Sequence, residues 1–186
     1  MLATMAAPVF EPSTTVRGAL TIDEQFADRV FPSPWTVEGL RDAGWHGLVP
    51  LRGLNLQKVP AERGVYIVVR SGSSEPEFSG KSLQRGNFDP IPPDLLAARW
   101  VPGASVVYIG QTGASGGLRG RLRPFSAASV GHSGGRAIWQ LADHMELSVA
   151  WKVTPKDVVP FLAEAALISR FRRDHHGRVP FANVVK

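Results

Sequence analysis

Tyrosine is rare in this chain, and its two tyrosines are the first residues that could do chemistry. The 186 residues include nine Phe and five Trp, but only Tyr66 and Tyr108 as tyrosines. Each lies in an apolar run beside a glycine, in the tripeptide GVY at 64–66 and the tripeptide YIG at 108–110. Because a phenol hydroxyl in a buried strand needs a polar partner, two interpretations are open. The hydroxyls are either satisfied separately in the core or directed to one shared polar site.

Glu164 is a carboxylate on the packing face of the last predicted helix. Apolar residues occur at helical spacing on both sides of it, at Phe161 and Ile168. A carboxylate on or at the edge of such a face is paired, binds a metal or has a raised pKa. Helical position alone leaves two interpretations: an edge glutamate bonded to an arginine, or a carboxylate of a functional site.

Arginines are concentrated in a stretch that contains no acid. Neither Asp nor Glu occurs from residue 95 to residue 142, a window that also holds His132. Guanidinium groups bind phosphate oxygens through paired hydrogen bonds, so this distribution favours a polyanionic partner such as nucleic acid. A solvated basic face is the alternative interpretation. The cations of the window, which equal the net charge of +5, are Arg99, Arg119, Arg121, Arg123 and Arg136.

Composition excludes several classes of protein. A hydrophobic fraction of 44% and a charged fraction of 20% are ordinary for a globular domain, and no apolar run approaches the roughly 20 residues that span a bilayer. The absence of Cys excludes disulfides and thiolate metal sites, and the absence of a cation before Arg17 argues against a secretory signal. We therefore expect a cytoplasmic protein with no membrane partner.

The elements that position these residues follow from hydrophobic periodicity. Strands are predicted at 64–69, 106–109 and 147–153, and helices are predicted to open near 117, to cover 135–145 and to run from Thr154 to about 174. Pro160 lies inside the last helix and implies a late start or a bend. This order predicts an α+β fold with a small sheet and helices.

The chain is predicted to hold one main domain with an appendage. Residues 1–60 are interpreted as an N-terminal accessory segment whose first ~15 residues are disordered, and residues 61–186 as the main domain. Residues 71–103, rich in Gly, Ser and Pro, form a long connection of the kind that is either functional or flexible.

Five elements in order resemble the GIY-YIG nuclease family over roughly residues 60–186. They are the GVY and YIG tripeptides, Arg121 in a helix opening, Glu164 in mid-helix and Asn183 near the end of the chain. The resemblance implies a small, mostly antiparallel three-stranded sheet flanked by helices. It also implies that residues 71–103 are an insertion between the two tyrosines, which are 42 positions apart.

The resemblance further implies a metal-dependent endonuclease that hydrolyses DNA phosphodiester bonds with a single divalent cation, Mg²⁺ or Mn²⁺. In such a site Glu164 holds the metal, Arg121 stabilises charge on the phosphate and the tyrosines line the site, one of them activating or orienting water, with Asn183 nearby. DNA contacts are expected around this group, at Gly110, Gln111, Arg119, Arg123, His132 and Arg136.

Departures from the family pattern keep other functions open. Gln111 stands where many members have lysine, and Arg121 is chosen over Arg119 and Arg123 because Arg121-Leu122 best matches the family's Arg-Leu pair. The alternative function is a non-catalytic nucleic-acid-binding module that retains the scaffold. A third is an interaction protein whose basic face binds another acidic partner.

Overall fold

The chain folds around one sheet of four antiparallel strands. The structure, a computed structural model, describes residues 20–82, 89–128 and 135–184. The strands are β1 His46–Pro50, β2 Gly64–Val69, β3 Val106–Thr112 and β4 Ser148–Val153. Their order across the sheet is β1-β4-β2-β3, and each neighbouring pair is antiparallel. The predicted α+β class is confirmed.

The prediction of three strands is wrong, because β1 adds a fourth. This strand belongs to the predicted accessory segment and pairs with β4 through an irregular register between Gly47 and Val49. Its sequence, HGLVP, has no alternating apolar pattern, and Leu48 adopts a positive φ of 53°. Pairing with β4, rather than local propensity, makes this segment a strand. Part of the accessory segment therefore completes the sheet of the main domain.

Helices cover both faces of the sheet. One face, called here the tyrosine face, carries Tyr66, Tyr108 and Trp151 and packs against α3 and α4. The opposite face carries residues such as Ile67 and Ile109 and packs against α1, α2 and α5. Because both faces are covered, every residue of β2 is buried. The helices are α1 Ile22–Val30, α2 Val37–Asp42, α3 Pro93–Arg99, α4 Gly117–Ser126 and α5 Pro160–Asp174.

Two helix predictions are corrected by the structure. The helix start predicted at Thr154 is wrong, because α5 begins at Pro160, whose missing N–H is not needed in a first turn. Of the late start and the bend that Pro160 implied, the structure has the late start. The continuous helix predicted over 135–145 is wrong. Two short 3₁₀ helices, Arg136–Gln140 and His144–Glu146, occupy that stretch. A continuous helix would need the carbonyl of Gln140 for its own hydrogen bonds. In the structure that carbonyl accepts a hydrogen bond from the N–H of Ser79, in the segment that packs beside the 3₁₀ helices.

Buried polar side chains fasten the described parts of the 71–103 connection to the main domain. The Nε of Arg70, a residue only 5% exposed, donates to the carboxylate of Asp143 at 2.5 Å. The same guanidinium donates to the carbonyl oxygen of Ser74 at 2.7 Å. The amide of Gln140 bonds the backbone of Ser79 and of Ile91. These contacts hold both flanks of the connection against the 3₁₀ helices.

Two predictions fall outside the described residues: the disorder of the first ~15 residues and the role of His132. Among the helices that the structure describes, none is both long and apolar enough to cross a membrane.

We predict that Gly47→Ala destabilises the protein more than Gly53→Ala. Both glycines have positive φ, 94° and 70°, but a Cβ on Gly47 would lie 2.5 Å from the Trp151 ring, whereas nothing lies within 4 Å of one on Gly53. Backbone strain costs about 1–2 kcal/mol in either variant, and overlap adds about 1–3 kcal/mol in Gly47→Ala. Urea denaturation at constant slope measures the difference. Equal losses would contradict the packing of Trp151 across β1.

Candidate active site

The register of β2 and β3 brings the two tyrosines together. Tyr66 lies opposite Gly110 and Tyr108 lies opposite Val68, so the tyrosines are diagonal neighbours on one face of the sheet. Their ring centroids are 5.9 Å apart. The Phe125 ring of α4 packs on both, with centroid distances of 5.8 Å to Tyr66 and 5.6 Å to Tyr108. The hydroxyls are thus directed into one shared environment.

Gly110 leaves the space that the Tyr66 ring occupies. A Cβ on Gly110 would lie 2.4 Å from the Cζ of Tyr66 and 2.6 Å from its hydroxyl oxygen, closer than real Cβ atoms approach other heavy atoms. Any side chain at this position would push Tyr66 away from Tyr108. The final glycine of the YIG tripeptide is therefore required by the tyrosine of the GVY tripeptide across the ladder.

Helix α4 directs one of its three arginines to the tyrosines. Arg121 lies three residues after Leu118 and four before Phe125, both fully buried, so it shares their side of the helix. Positions two residues away point in other directions. Arg119 donates from Nε to the carbonyl of Val59 at 2.8 Å, and Arg123 is exposed. The structure therefore places Arg121 beside the tyrosines.

Arg121 and the two phenols form one hydrogen-bonded group. The guanidinium donates to the hydroxyl oxygens of Tyr66 and Tyr108, and the two hydroxyls bond each other. The Nε of Arg121 is buried and has no partner among the described residues, so the terminal nitrogens make these bonds. The group is thus a cation held by two neutral oxygens.

Glu164 reaches this group from the other side of the sheet. It lies on α5, which contacts β3, and its side chain is half-buried. Its negative charge contributes to the raised pKa of Tyr108 and to the raised pKa of Arg121. The carboxylate therefore lies within electrostatic range of both.

The pKa shifts define the charge state of the group. Burial raises the pKa of Tyr66 well above its usual value, and the neighbouring Tyr108 raises it further against the opposing effect of Arg121. Burial also raises the pKa of Tyr108, followed by the charge of Glu164. Burial alone would lower the pKa of Arg121, but the phenols and Glu164 raise it overall. At neutral pH both phenols are protonated and the guanidinium is charged.

Asn183 is a positioning residue at the edge of the sheet. Its Oδ1 accepts from the N–H of Ile109 at 2.9 Å, and its Nδ2 donates to the carbonyl of Ile109 at 2.8 Å. The N–H of Ala182 donates to the carbonyl of Val107. The amide thus holds the residue that separates Tyr108 from Gly110, and it uses both of its polar atoms to do so.

The remaining residues predicted to contact DNA are spread around this group. Gln111 lies on β3 opposite Val65 and is half-buried, as is Arg136 at the start of a 3₁₀ helix. Sequence reasoning missed Phe125, although its position four residues after Arg121 is the spacing that places two residues on one helical face. It also missed Trp151, which lies directly opposite Tyr66 on β4.

The donor set suits a hard cation held by one protein carboxylate. Mg²⁺ in proteins binds one or two carboxylates and completes its shell with water and phosphate oxygens. The half-buried Glu164 beside a hydroxyl cluster fits that pattern. Within residues 20–82, 89–128 and 135–184, no group of three His, Cys, Asp or Glu could enclose a metal. The site therefore fits a metal that also needs oxygens from its substrate.

Comparisons with the models of known protein families, with curated proteins and with solved structures find no match to this chain. Fold and site together define an α+β protein whose only two tyrosines, one arginine and one glutamate meet at one sheet. Its chemistry is argued from that geometry.

We predict that neither tyrosine ionises at the usual pKa of about 10. The folded-state pKa of both is raised, so the protonated phenols contribute stability that is fully present below pH ~10 and is lost as the pH rises through the folded-state values. Absorbance titration at 295 nm checks this directly, since the chain has only two tyrosines. Tyr66→Phe isolates the Tyr108 transition. A normal transition near pH 10 in folded protein would contradict the shared buried site.

Proposed function

We propose that this protein is a metal-dependent endonuclease that hydrolyses DNA phosphodiester bonds with a single divalent cation, Mg²⁺ or Mn²⁺. The observation that carries the proposal is the meeting of the Tyr66 and Tyr108 hydroxyls with Arg121, within electrostatic range of the Glu164 carboxylate. These are the residues on which the resemblance to the GIY-YIG nucleases rests. They come from three separate parts of the chain, and core packing alone would not require their polar ends to meet.

Arg121 is the residue that neutralises the phosphate. Phosphodiester hydrolysis develops negative charge on the phosphate oxygens, and a guanidinium already held in place stabilises that charge without reorganisation. The bonds to the two phenols and the packing of α4 on Leu118 and Leu122 keep Arg121 in position. A lysine here would lose the paired geometry of the guanidinium.

Glu164 is the residue that holds the divalent cation. When bound, the cation supplies Lewis-acid polarisation of the phosphate and charge for the leaving oxygen. A carboxylate that is only half-buried keeps room for water and substrate oxygens around the ion.

The tyrosines orient the attacking water and pass protons through their hydroxyls. Since burial raises the pKa of both phenols, neither is ionised at neutral pH in the free protein. A protonated phenol donates or relays a proton, and it removes one only when a nearby cation stabilises the phenolate. Tyr108, which senses the charge of Glu164, is the phenol placed to contact water there. Tyr66 supports Tyr108 and Arg121 from the buried side.

DNA is the proposed partner along the surface of this group. Gln111, Arg119, Arg123 and Arg136 are the described residues proposed to contact it, in a stretch without acids from residue 95 to residue 142. Gly110, also expected to contact DNA, is buried against the Tyr66 ring. Cations in such a stretch bind phosphates without sequence preference and release counterions. A cytoplasmic location is part of the same proposal.

A non-catalytic nucleic-acid-binding module is the second candidate function. Two features favour it: Gln111 stands where many GIY-YIG nucleases carry lysine, and a long connection, residues 71–103, separates the two tyrosines. In that case the same arginines would hold DNA without cleaving it.

We predict that the purified protein nicks supercoiled plasmid in the presence of Mg²⁺ or Mn²⁺ and that EDTA abolishes the activity. Loss of one charge-stabilising group typically costs 10²–10³-fold in rate, so Glu164→Gln and Arg121→Ala should each reduce nicking at least ~100-fold. Arg29→Ala is the matched control, because Arg29 is an exposed arginine of α1, which covers the opposite face of the sheet. Its rate should stay within a few-fold of the parent.

Two outcomes would decide against this assignment. Nicking by Glu164→Gln at the parent rate would remove Glu164 from the mechanism. Salt-sensitive DNA binding without cleavage in any divalent cation would establish the binding module instead.

A further inference from the structure

A cleft of about 760 Å³ lies beside the candidate active site. Its walls come from β1, from the segment that joins β1 to β2, and from one residue each of α4 and β4. A cleft of this size is typical of sites for small molecules, and it is too small for a duplex. The lining residues that carry the argument are Val49, Arg52, Leu54, Lys58, Arg119 and Trp151.

The cleft and the candidate active site share one face of the sheet. Trp151, which lines the cleft, lies directly opposite Tyr66 in the β2–β4 register, so both side chains are on the tyrosine face. Arg119, on the same helix as Arg121, points in another direction and lines the cleft. Helix α4 therefore contributes one arginine to each site, and a strand bound at Arg121 has the cleft as its neighbour on this face of the sheet.

The floor of the cleft is apolar. Half-buried Val49 and Leu54 line it and pack against the core of the tyrosine face. Trp151 also lines the cleft but is only 5% exposed, because its ring packs across Gly47. A planar base that contacts Val49 and Leu54 buries apolar surface.

The rim of the cleft is cationic. Arg52, Lys58 and Arg119 line it together with His46, and no Asp or Glu does. Arg52 donates to the carbonyl of Ser126 and Arg119 to the carbonyl of Val59, so each guanidinium is fixed by a backbone oxygen. An arginine has five N–H donors, and one such bond leaves donors for a phosphate. The occupant should thus combine an apolar plane with negative charge.

We propose that this cleft binds one unpaired nucleotide of a DNA strand, next to the phosphate at the candidate active site. The base lies on the floor formed by Val49 and Leu54, and its phosphate contacts Arg119 and Lys58. This inference rests on the proposed function and narrows its substrate to DNA that presents an unpaired nucleotide near the cut. Free nucleotides have the same chemistry and are the other source of such a ligand.

Binding is measured separately from cleavage to test this proposal. In the Glu164→Gln background, fluorescence anisotropy compares a DNA hairpin carrying one bulged adenosine with the fully paired hairpin. We expect about tenfold tighter binding of the bulged hairpin, the order of one base contact. Lys58→Glu on the rim and Leu54→Glu on the floor should each remove that preference. Unchanged circular dichroism and thermal midpoints establish that both variants fold.

Arg29→Glu is the matched control, because it makes the same change of charge on α1, which covers the opposite face of the sheet. It should keep the tenfold preference. Equal affinity of the Glu164→Gln protein for both hairpins would overturn the proposal. Loss of the preference in Arg29→Glu, to the same extent as in Lys58→Glu and Leu54→Glu, would also overturn it.

Competition with dAMP separates the two sources of the nucleotide. Displacement of the bulged hairpin by dAMP from the parent, with none from Leu54→Glu, would identify the cleft as a site that also takes free nucleotides. Displacement from both proteins alike would place the nucleotide outside the cleft and overturn the proposal. If plasmid nicking fails while the bulge preference holds, the proposed function fails and the cleft assignment stands.

Discussion

The structure depends on the cross-strand contact between Tyr66 and Gly110. The ring of Tyr66 fills the position that any side chain at residue 110 would occupy. The register of β2 and β3 therefore depends on the missing side chain of Gly110 as much as on the ring of Tyr66. A one-residue shift of β2 against β3 would turn Tyr66 to the opposite face and separate it from Tyr108 and Arg121. The two tripeptides are thus halves of one contact, although 42 positions separate their tyrosines.

The polar group built on this contact combines burial with charge. Two phenols lie where burial favours their protonated form, and Arg121 and Glu164 bring opposite charges to them. The neutral hydroxyls accept hydrogen bonds from the Arg121 guanidinium and stay protonated, and the hydroxyl of Tyr108 lies within electrostatic range of the Glu164 carboxylate. The cost of burying Arg121 is offset by these bonds, and the guanidinium is held in one orientation before any phosphate arrives.

Short-range sequence patterns predicted most of the helices and strands, and the remaining elements depend on pairing between segments distant in sequence. The α+β class and the late start of α5 followed from periodicity and from Pro160. Strand β1 could not be predicted because HGLVP has no strand pattern, and the 3₁₀ helices replaced a predicted helix because Gln140 bonds a distant segment. Arg121 was preferred to Arg119 and Arg123 because Arg121-Leu122 matches the family's Arg-Leu pair, and the fold adds that this arginine is on the buried side of α4. Glu164 was singled out by helical position, but only the fold gives it its electrostatic neighbours.

The clasp that Asn183 makes on Ile109 has a consequence beyond the site. Strand β3 is the last strand of the sheet, and an end strand offers unpaired N–H and C=O groups to any other extended chain. The side-chain amide of Asn183 occupies both polar groups of Ile109, and Ala182 occupies the carbonyl of Val107. The strand that carries the YIG tripeptide is therefore capped along its outer edge. That cap protects the edge strand of the candidate active site from pairing with the edge of another sheet.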